Sequence, residues 1–193
     1  MTHRLRGPAG PAAAVAPPRA CGYNPGMQEP PIPPDEDDRL RALRSLLILD
    51  TPPEERFDRI VAFAAQEFDA PMALVTLVDA ERQWFKARVG TDLTETPRSI
   101  SFCAHAIAQS ETLVVPDALQ DQRFQDNPLV TGDPGIRFYA GAPLGLPDGQ
   151  KVGTLCIIDR QPRTLDRVGL AILQSLRDLA VEELARQAKG KAP

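Results

Sequence analysis

A chain of 193 residues with 42% hydrophobic content holds enough apolar material for one core, and its length suits a single domain with a tail. A net charge of −4 argues against nucleic acid as a partner, since that would favour a basic face, and no apolar run is long enough to cross a bilayer. The three cysteines, at 21, 103 and 156, are odd in number and lack Cys-x-x-Cys spacing, so they read as reduced thiols in a cytoplasmic protein.

Residues 1–34 carry nine of the twenty prolines and almost no apolar periodicity, so they are expected to be a disordered Pro/Gly/Ala-rich tail. Pro8, Pro11, Pro17 and Pro18 interrupt the alanine-rich stretch that could otherwise serve a signal peptide. The tail reads as a linker or an over-extended translation start. The folded domain is expected over 35–188, with a flexible C-terminus at 189–193.

Asp35 to Asp38 lead into a first helix over Arg39 to about Asp50, with Leu40, Leu43, Leu46 and Leu47 on one side. Thr51 as N-cap, Pro52 at the first helical position and Glu54 predict a capping box for a second helix. Phe57, Ile60, Val61, Ala64 and Phe68 give that helix one apolar face, and Pro71 ends it. Met72 to Val78 is apolar on both alternating faces, as a strand covered from two sides would be. Asp79 to Arg82 turns the chain into a returning strand over Gln83–Val89, and Gly90 to Arg98 is a polar loop. Ser99 or Ser101 can cap a short helix reaching about Gln109.

Leu113 to Val115 reads as a short strand stopped by Pro116. The following stretch, rich in Asp, Asn, Pro and Gly, admits only a brief helical turn around Arg123. A connection this long is often functional. Arg137–Leu144 and Lys151–Asp159, joined by Pro147-Asp-Gly149, form the clearest hairpin in the chain. Thr164 is expected to cap a final helix of about twenty residues. Its stripe of Leu170, Leu173, Leu176, Ala180 and Leu184 is widened by Ile172, Leu179 and Val181, enough for two surfaces. The order of elements predicts an α+β fold.

Cys103 and His105 suggest a nucleophile with its base or a pair of metal ligands, but in a helix positions i and i+2 point in opposed directions. Structural roles for both are the plainer reading, and no metal site is expected. A serine cap would nevertheless place Cys103 in the first helical turn, where the helix dipole favours a thiolate. Cys156, among Leu155, Ile157 and Ile158, reads as core. Asp117, Asp121 and Asp126 with Arg123 and Arg137 form either a polar lid over a pocket or a set of turn caps. Arg137 and Tyr139 would share one face of a strand. Trp84 reads as an exposed hairpin residue, a packing anchor or part of a dimer surface.

Five segments carry a family resemblance: Ser101-Phe-Cys-Ala-His-Ala-Ile, Leu113-Val-Val-Pro-Asp-Ala, Asp121-Gln-Arg-Phe-Gln-Asp-Asn-Pro, Ile136-Arg-Phe-Tyr-Ala-Gly-Ala-Pro-Leu and Gly153-Thr-Leu-Cys-Ile-Ile-Asp. In this order they resemble the GAF domain of bacterial sensor histidine kinases and cyclic-di-nucleotide enzymes, over about Arg39 to Arg186. The resemblance implies a central antiparallel sheet of about six strands, terminal helices on one face and a ligand pocket on the other. It implies Phe102, Cys103, His105, Asp117, Phe124, Arg137 and Tyr139 as ligand-binding residues. It also implies a homodimer built on the terminal helices, with a histidine kinase or diguanylate cyclase as partner. The Asn-Lys-Xn-Phe-Xn-Asp-Glu pattern of cyclic-nucleotide-binding members is absent, so cyclic AMP and GMP are not expected. Ala104 separates Cys103 from His105, which departs from the Cys-His dipeptide that tethers bilins, so no cofactor is expected. The resemblance carries no expectation of an output module after the last helix. The expectation is a non-enzymatic module that binds a small ligand or protein and regulates a signalling enzyme in trans. The alternatives are a thiol enzyme of the free methionine-R-sulfoxide reductase type and a dimerisation scaffold that binds nothing.

Overall fold

A computed structural model of the chain describes residues 27–190, and the expectations for residues 1–26 and 191–193 lie outside that range. Helix α1 (Glu36–Ser45) and helix α2 (Glu55–Glu67) lead into β1 (Met72–Val78), β2 (Arg82–Val89) and β3 (Glu95–Pro97). After a 3-10 turn at Arg98–Ile100 come α3 (Phe102–Ile107), β4 (Leu113–Val115), α4 (Pro128–Thr131), β5 (Phe138–Gly145), β6 (Lys151–Asp159) and α5 (Arg167–Gly190). The six strands form one sheet in the order β3-β2-β1-β6-β5-β4, with every neighbouring pair antiparallel.

β1 shows how the sheet divides the molecule. Its residues alternate between faces, and all seven are buried because both faces are covered. Ala73, Val75 and Leu77 join Phe138, Ala140, Leu155 and Ile157 in a core closed by Phe57, Ile60, Val61 and Ala64 of α2. Leu173, Leu176, Ala180 and Leu184 of α5, with Leu43 of α1, complete it. Full burial of each of the Val, Leu, Ile and Phe side chains among them contributes about 1.5–3 kcal/mol. Met72 and Leu74 face the other way, with Tyr139, Cys156 and Ile158, into a second core roofed by α3, Phe124 and Val130. The sheet, the terminal helices on one face and the α+β class agree with expectation.

Several local details differ from the sequence reading. α1 starts and stops earlier than Arg39 to Asp50, because Leu47 adopts a positive φ of 49° and ends the helix with its side chain exposed. The capping box is not formed. Thr51 lies outside α2, where its hydroxyl donates to Ile48 O and accepts from Lys86 Nζ, and Glu54 takes the N-cap position with no side-chain bond to the helix. α2 ends at Glu67, before Pro71, as Asp69 turns to φ 45°. The polar loop before Arg98 contains the edge strand β3, and the irregular connection contains the short α4. α5 is capped by Asp166, whose Oδ1 accepts from Gly169 N at 2.7 Å, and not by Thr164. Trp84 is a packing anchor in the helix-side core.

Ionic contacts fasten α1 to the rest. Arg39 is almost fully buried, with Nη1 donating to Val78 O at 2.7 Å and Nε to Glu36 Oε2 at 2.8 Å. Glu36 also accepts from Arg98 Nη1 at 2.5 Å. Burial opposes ionisation of Glu36, but the two guanidiniums outweigh it and hold its pKa down to about 2. Among the described residues no helix is long and apolar enough to cross a membrane.

Candidate functional site

Ser101 settles where α3 begins. Its extended backbone precedes the first helical residue, and its Oγ accepts from Ala104 N at 3.0 Å. The same hydroxyl donates to Gln83 Oε1 on β2, so the cap is bonded to the sheet. All six residues of α3 are buried. Phe102 stacks on Phe124 with centroids 4.0 Å apart and meets Tyr139 at 5.1 Å, while His105 sets its edge on Phe124 at 4.8 Å. Asn127 caps α4 through Leu129 N and donates from Nδ2 to Ile100 O at 2.9 Å, pinning the long connection beside α3.

Beneath α3 lies an apolar cavity of about 40 Å³, floored by Met72 and Leu74 of β1, Phe85 of β2, Tyr139 of β5 and Ile158 of β6. Phe102 and Cys103 line it from the helix, Leu129 and Ile136 from the α4 side, and Thr91 and Leu93 at the loop before β3. Space for a water begins at about 10–15 Å³, so this cavity admits a few waters or one small apolar group as it stands. Besides Thr91, Cys103 and Tyr139, the polar side chains of Gln83 and Thr96 line it. Thr96 is 8% exposed, and its Oγ1 finds no hydrogen-bond partner among the described residues. A buried hydroxyl left unpaired costs about 1–3 kcal/mol, which a ligand's polar group would recover.

Of the residues expected to bind a ligand, Phe102, Cys103 and Tyr139 line this cavity. Phe124 and His105 stand behind Phe102. Burial, then the nearby Arg123, lower the His105 pKa to about 4, so its ring is neutral near pH 7. Asp117 accepts from Leu119 N at 3.1 Å and Asp121 binds Arg123 through Nε and Nη2, both as local turn contacts. Arg137 precedes β5, and its Nη1 donates to Val130 O and Ile136 O. Met72, Leu74, Gln83, Phe85, Thr96 and Ile158 were missed as lining residues. Period-two alternation along β1 already carried the signal for Met72 and Leu74.

At the inner end of the cavity the two described thiols meet. Cys103 Sγ lies 3.9 Å from Cys156 Sγ and accepts from Tyr139 Oη at 3.3 Å. The hydroxyls of Thr76 and Thr154 are 3.2 Å apart beside them. Burial resists ionisation of Cys103, but the contact with Cys156, the neighbouring hydroxyls of Thr154 and Thr76 and the bond from Tyr139 bring its pKa below the ordinary thiol range. Burial pushes Cys156 and Tyr139 well up. Cys156 therefore has a polar partner that its apolar neighbours in sequence do not reveal. The ring of Tyr139 lies flat over Gly141, where a Cβ would meet Oη at 2.0 Å.

The GAF domain profile matches residues 52–188, most of the chain. The chain belongs to the GAF domain family. Over 137 residues this GAF domain is 47% identical to a cyclic di-GMP phosphodiesterase of Pseudomonas aeruginosa. The match covers 71% of this chain but 23% of that protein, so the chain spans under a quarter of its relative's length. The fold is that of the GAF domain from a Coxiella burnetii phosphoenolpyruvate-protein phosphotransferase, with TM-score 0.59 and 16% identity over 81% of this chain and 98% of that one. It is also that of a free methionine-R-sulfoxide reductase from Neisseria meningitidis solved with its substrate. There the TM-score is 0.56 at 19% identity, covering 79% of this chain and 90% of that one.

Proposed function

We propose that this GAF domain is a signalling module that binds a small, mainly apolar ligand in the cavity beneath α3 and modulates a signalling enzyme in trans. The buried hydroxyl of Thr96, one of the residues lining that cavity, is left unpaired among the described residues and carries the reading. The ligand would offer one hydrogen-bonding group to Thr96 and Gln83 and apolar surface to Leu74, Phe85 and Ile158. A ligand larger than a few waters has to displace the loop carrying Leu93, which is half exposed at the mouth. The sequence relative's name supports an enzyme of cyclic-dinucleotide turnover as the output.

Occupancy changes output only if the ligand binds two arrangements of the domain with different affinity. A physical route exists between the cavity roof and α1. Ser101 bonds the α3 cap to Gln83, and Arg98, three residues earlier, bonds Glu36 at the head of α1. The exposed Val168 and Leu179 of α5, with Phe63 of α2, offer the surface for a homodimer through which that shift is passed on.

The test is native mass spectrometry of fresh protein, then thermal melts against a metabolite panel. A stoichiometric ligand that raises the melting temperature is expected, with binding weakened about tenfold in Thr96→Val, the equivalent of about 1.4 kcal/mol. An empty protein that no compound stabilises would overturn the reading. A thiol reductase of the methionine sulfoxide type is the second reading, favoured by the contact of Cys103 with Cys156. Turnover of free methionine-R-sulfoxide, lost in Cys103→Ser, would establish it.

A further inference from the structure

Cys103 and Cys156 belong to elements far apart in sequence, and nothing about core packing requires two sulfurs to touch. Around them the fold places three hydroxyls, on Tyr139, Thr76 and Thr154, inside an otherwise apolar cluster. The Tyr139 hydroxyl donating to the buried Cys103 sulfur, with the threonine hydroxyls close by, stabilises the thiolate, the form that attacks oxidants. Cys103 lines the cavity, whereas Cys156 is fully buried behind it. A small molecule entering the cavity meets one thiol first, with the second already in contact.

We propose that Cys103 and Cys156 form a redox couple in which a small hydroperoxide, admitted through the cavity, converts the two thiols to a disulfide joining α3 to β6. The Cys103 thiolate attacks the peroxide oxygen, the O–O bond breaks, and the leaving alkoxide or hydroxide takes a proton and departs as alcohol or water. Cys103 is then a sulfenic acid. The sulfur of Cys156 attacks the sulfenic sulfur, forming the S–S bond and expelling hydroxide, which leaves as water with the proton from Cys156. Two thiols are oxidised by two electrons and one peroxide is reduced by two. A disulfide bond is about 2.05 Å, so the sulfurs must approach by about 2 Å. α3 can supply that movement because it is short and has a single side-chain cap, at Ser101. The proposal goes beyond ligand sensing and does not depend on it.

The experiment is a hydrogen peroxide titration of the full chain and of its Cys21→Ser variant, read by intact mass and by non-reducing peptide mapping. The expected result is loss of two hydrogen atoms and a Cys103–Cys156 link in both proteins, reversed by dithiothreitol. In Cys156→Ala, dimedone should trap a sulfenic acid on Cys103, and in Cys103→Ala, Cys156 should stay alkylatable at the same doses once denatured. Oxidation of Cys103 to sulfinic acid with Cys156 still reduced in the wild type would overturn the proposal. So would a disulfide that involves only Cys21, or two thiols that remain reduced while Cys21 oxidises. The mapping needs only the wild-type protein, so a variant that fails to fold leaves the decision intact. The result is equally readable in a protein that binds no metabolite.

Discussion

Gly141 and His105 illustrate how single positions carry the site. A Cβ at Gly141 would sit 2.0 Å from Tyr139 Oη and 2.5 Å from Cζ, and the ring is wedged between α3 and the sheet. Gly141→Ala is therefore expected to destabilise the domain by about 1–3 kcal/mol in urea unfolding, the usual cost of overpacking. A ring that moved aside freely would leave the midpoint unchanged. His105 titrates near pH 4 when folded and near pH 6.5 when unfolded, because of its burial and the facing Arg123, with Asp121 opposing. The unfolded chain binds the extra proton in that interval. The contribution from neutral His105 is thus complete above about pH 6.5 and is lost as the pH falls towards 4. Between about pH 7 and 5 roughly 2 kcal/mol of stability should disappear, and His105→Asn should flatten that slope in chemical denaturation. Neither residue's part could be read from sequence. Gly141 has no local motif around it that marks a crowded site, and what closes on His105 comes from Phe124, nearly twenty residues away.

At the scale of elements, period-two and 3.6-residue patterns located the strands and long helices because each buries a regular face. β1, β4 and β6 have the bounds that the sequence predicts, and the α2 stripe packs as read. Helix ends were less legible, since several residues near each end can cap and only the tertiary path chooses. Thr51 is drawn away by Lys86, which is buried beside Phe57 and Trp84 and also bonds Pro52 O and Glu54. At α5 the choice fell on Asp166, two residues beyond Thr164. Asp166→Ala should cost about 1 kcal/mol of stability, while Thr164→Ala should be nearly neutral, as paired thermal melts would show. Equal effects would mean that the helix starts earlier than described. β3 escaped notice for another reason. It has three residues, and only one of them is buried.

Across the whole molecule, the sheet separates two jobs. One face carries α2 and α5, whose outer surfaces leave Phe63, Val168 and Leu179 exposed, and the other holds the cavity and the thiols. If α5 builds the homodimer, Leu179→Glu should shift the protein to monomer in light scattering without lowering ligand affinity. A variant that stays dimeric would place the interface elsewhere. The cavity floor was the part of the site least visible in sequence. It is assembled from β1, β2, β5 and β6 at once, so no local motif contains it. The loop arginine and aspartates drew attention for their charge, yet Arg123, Arg137, Asp117 and Asp121 are engaged by their own turns.

The tyrosine lying over Gly141 also constrains how this chain can drift. The two positions sit on one face of one strand and share one volume, so they are not free to vary independently. Lineages that keep an aromatic ring at 139 should keep glycine at 141, whereas those with a small residue at 139 should admit alanine, serine or valine at 141. That pairing would appear as covariation between two sites two residues apart, a pattern that period-two alternation alone does not produce. Gly145, with open space where its Cβ would be, should show no such partner.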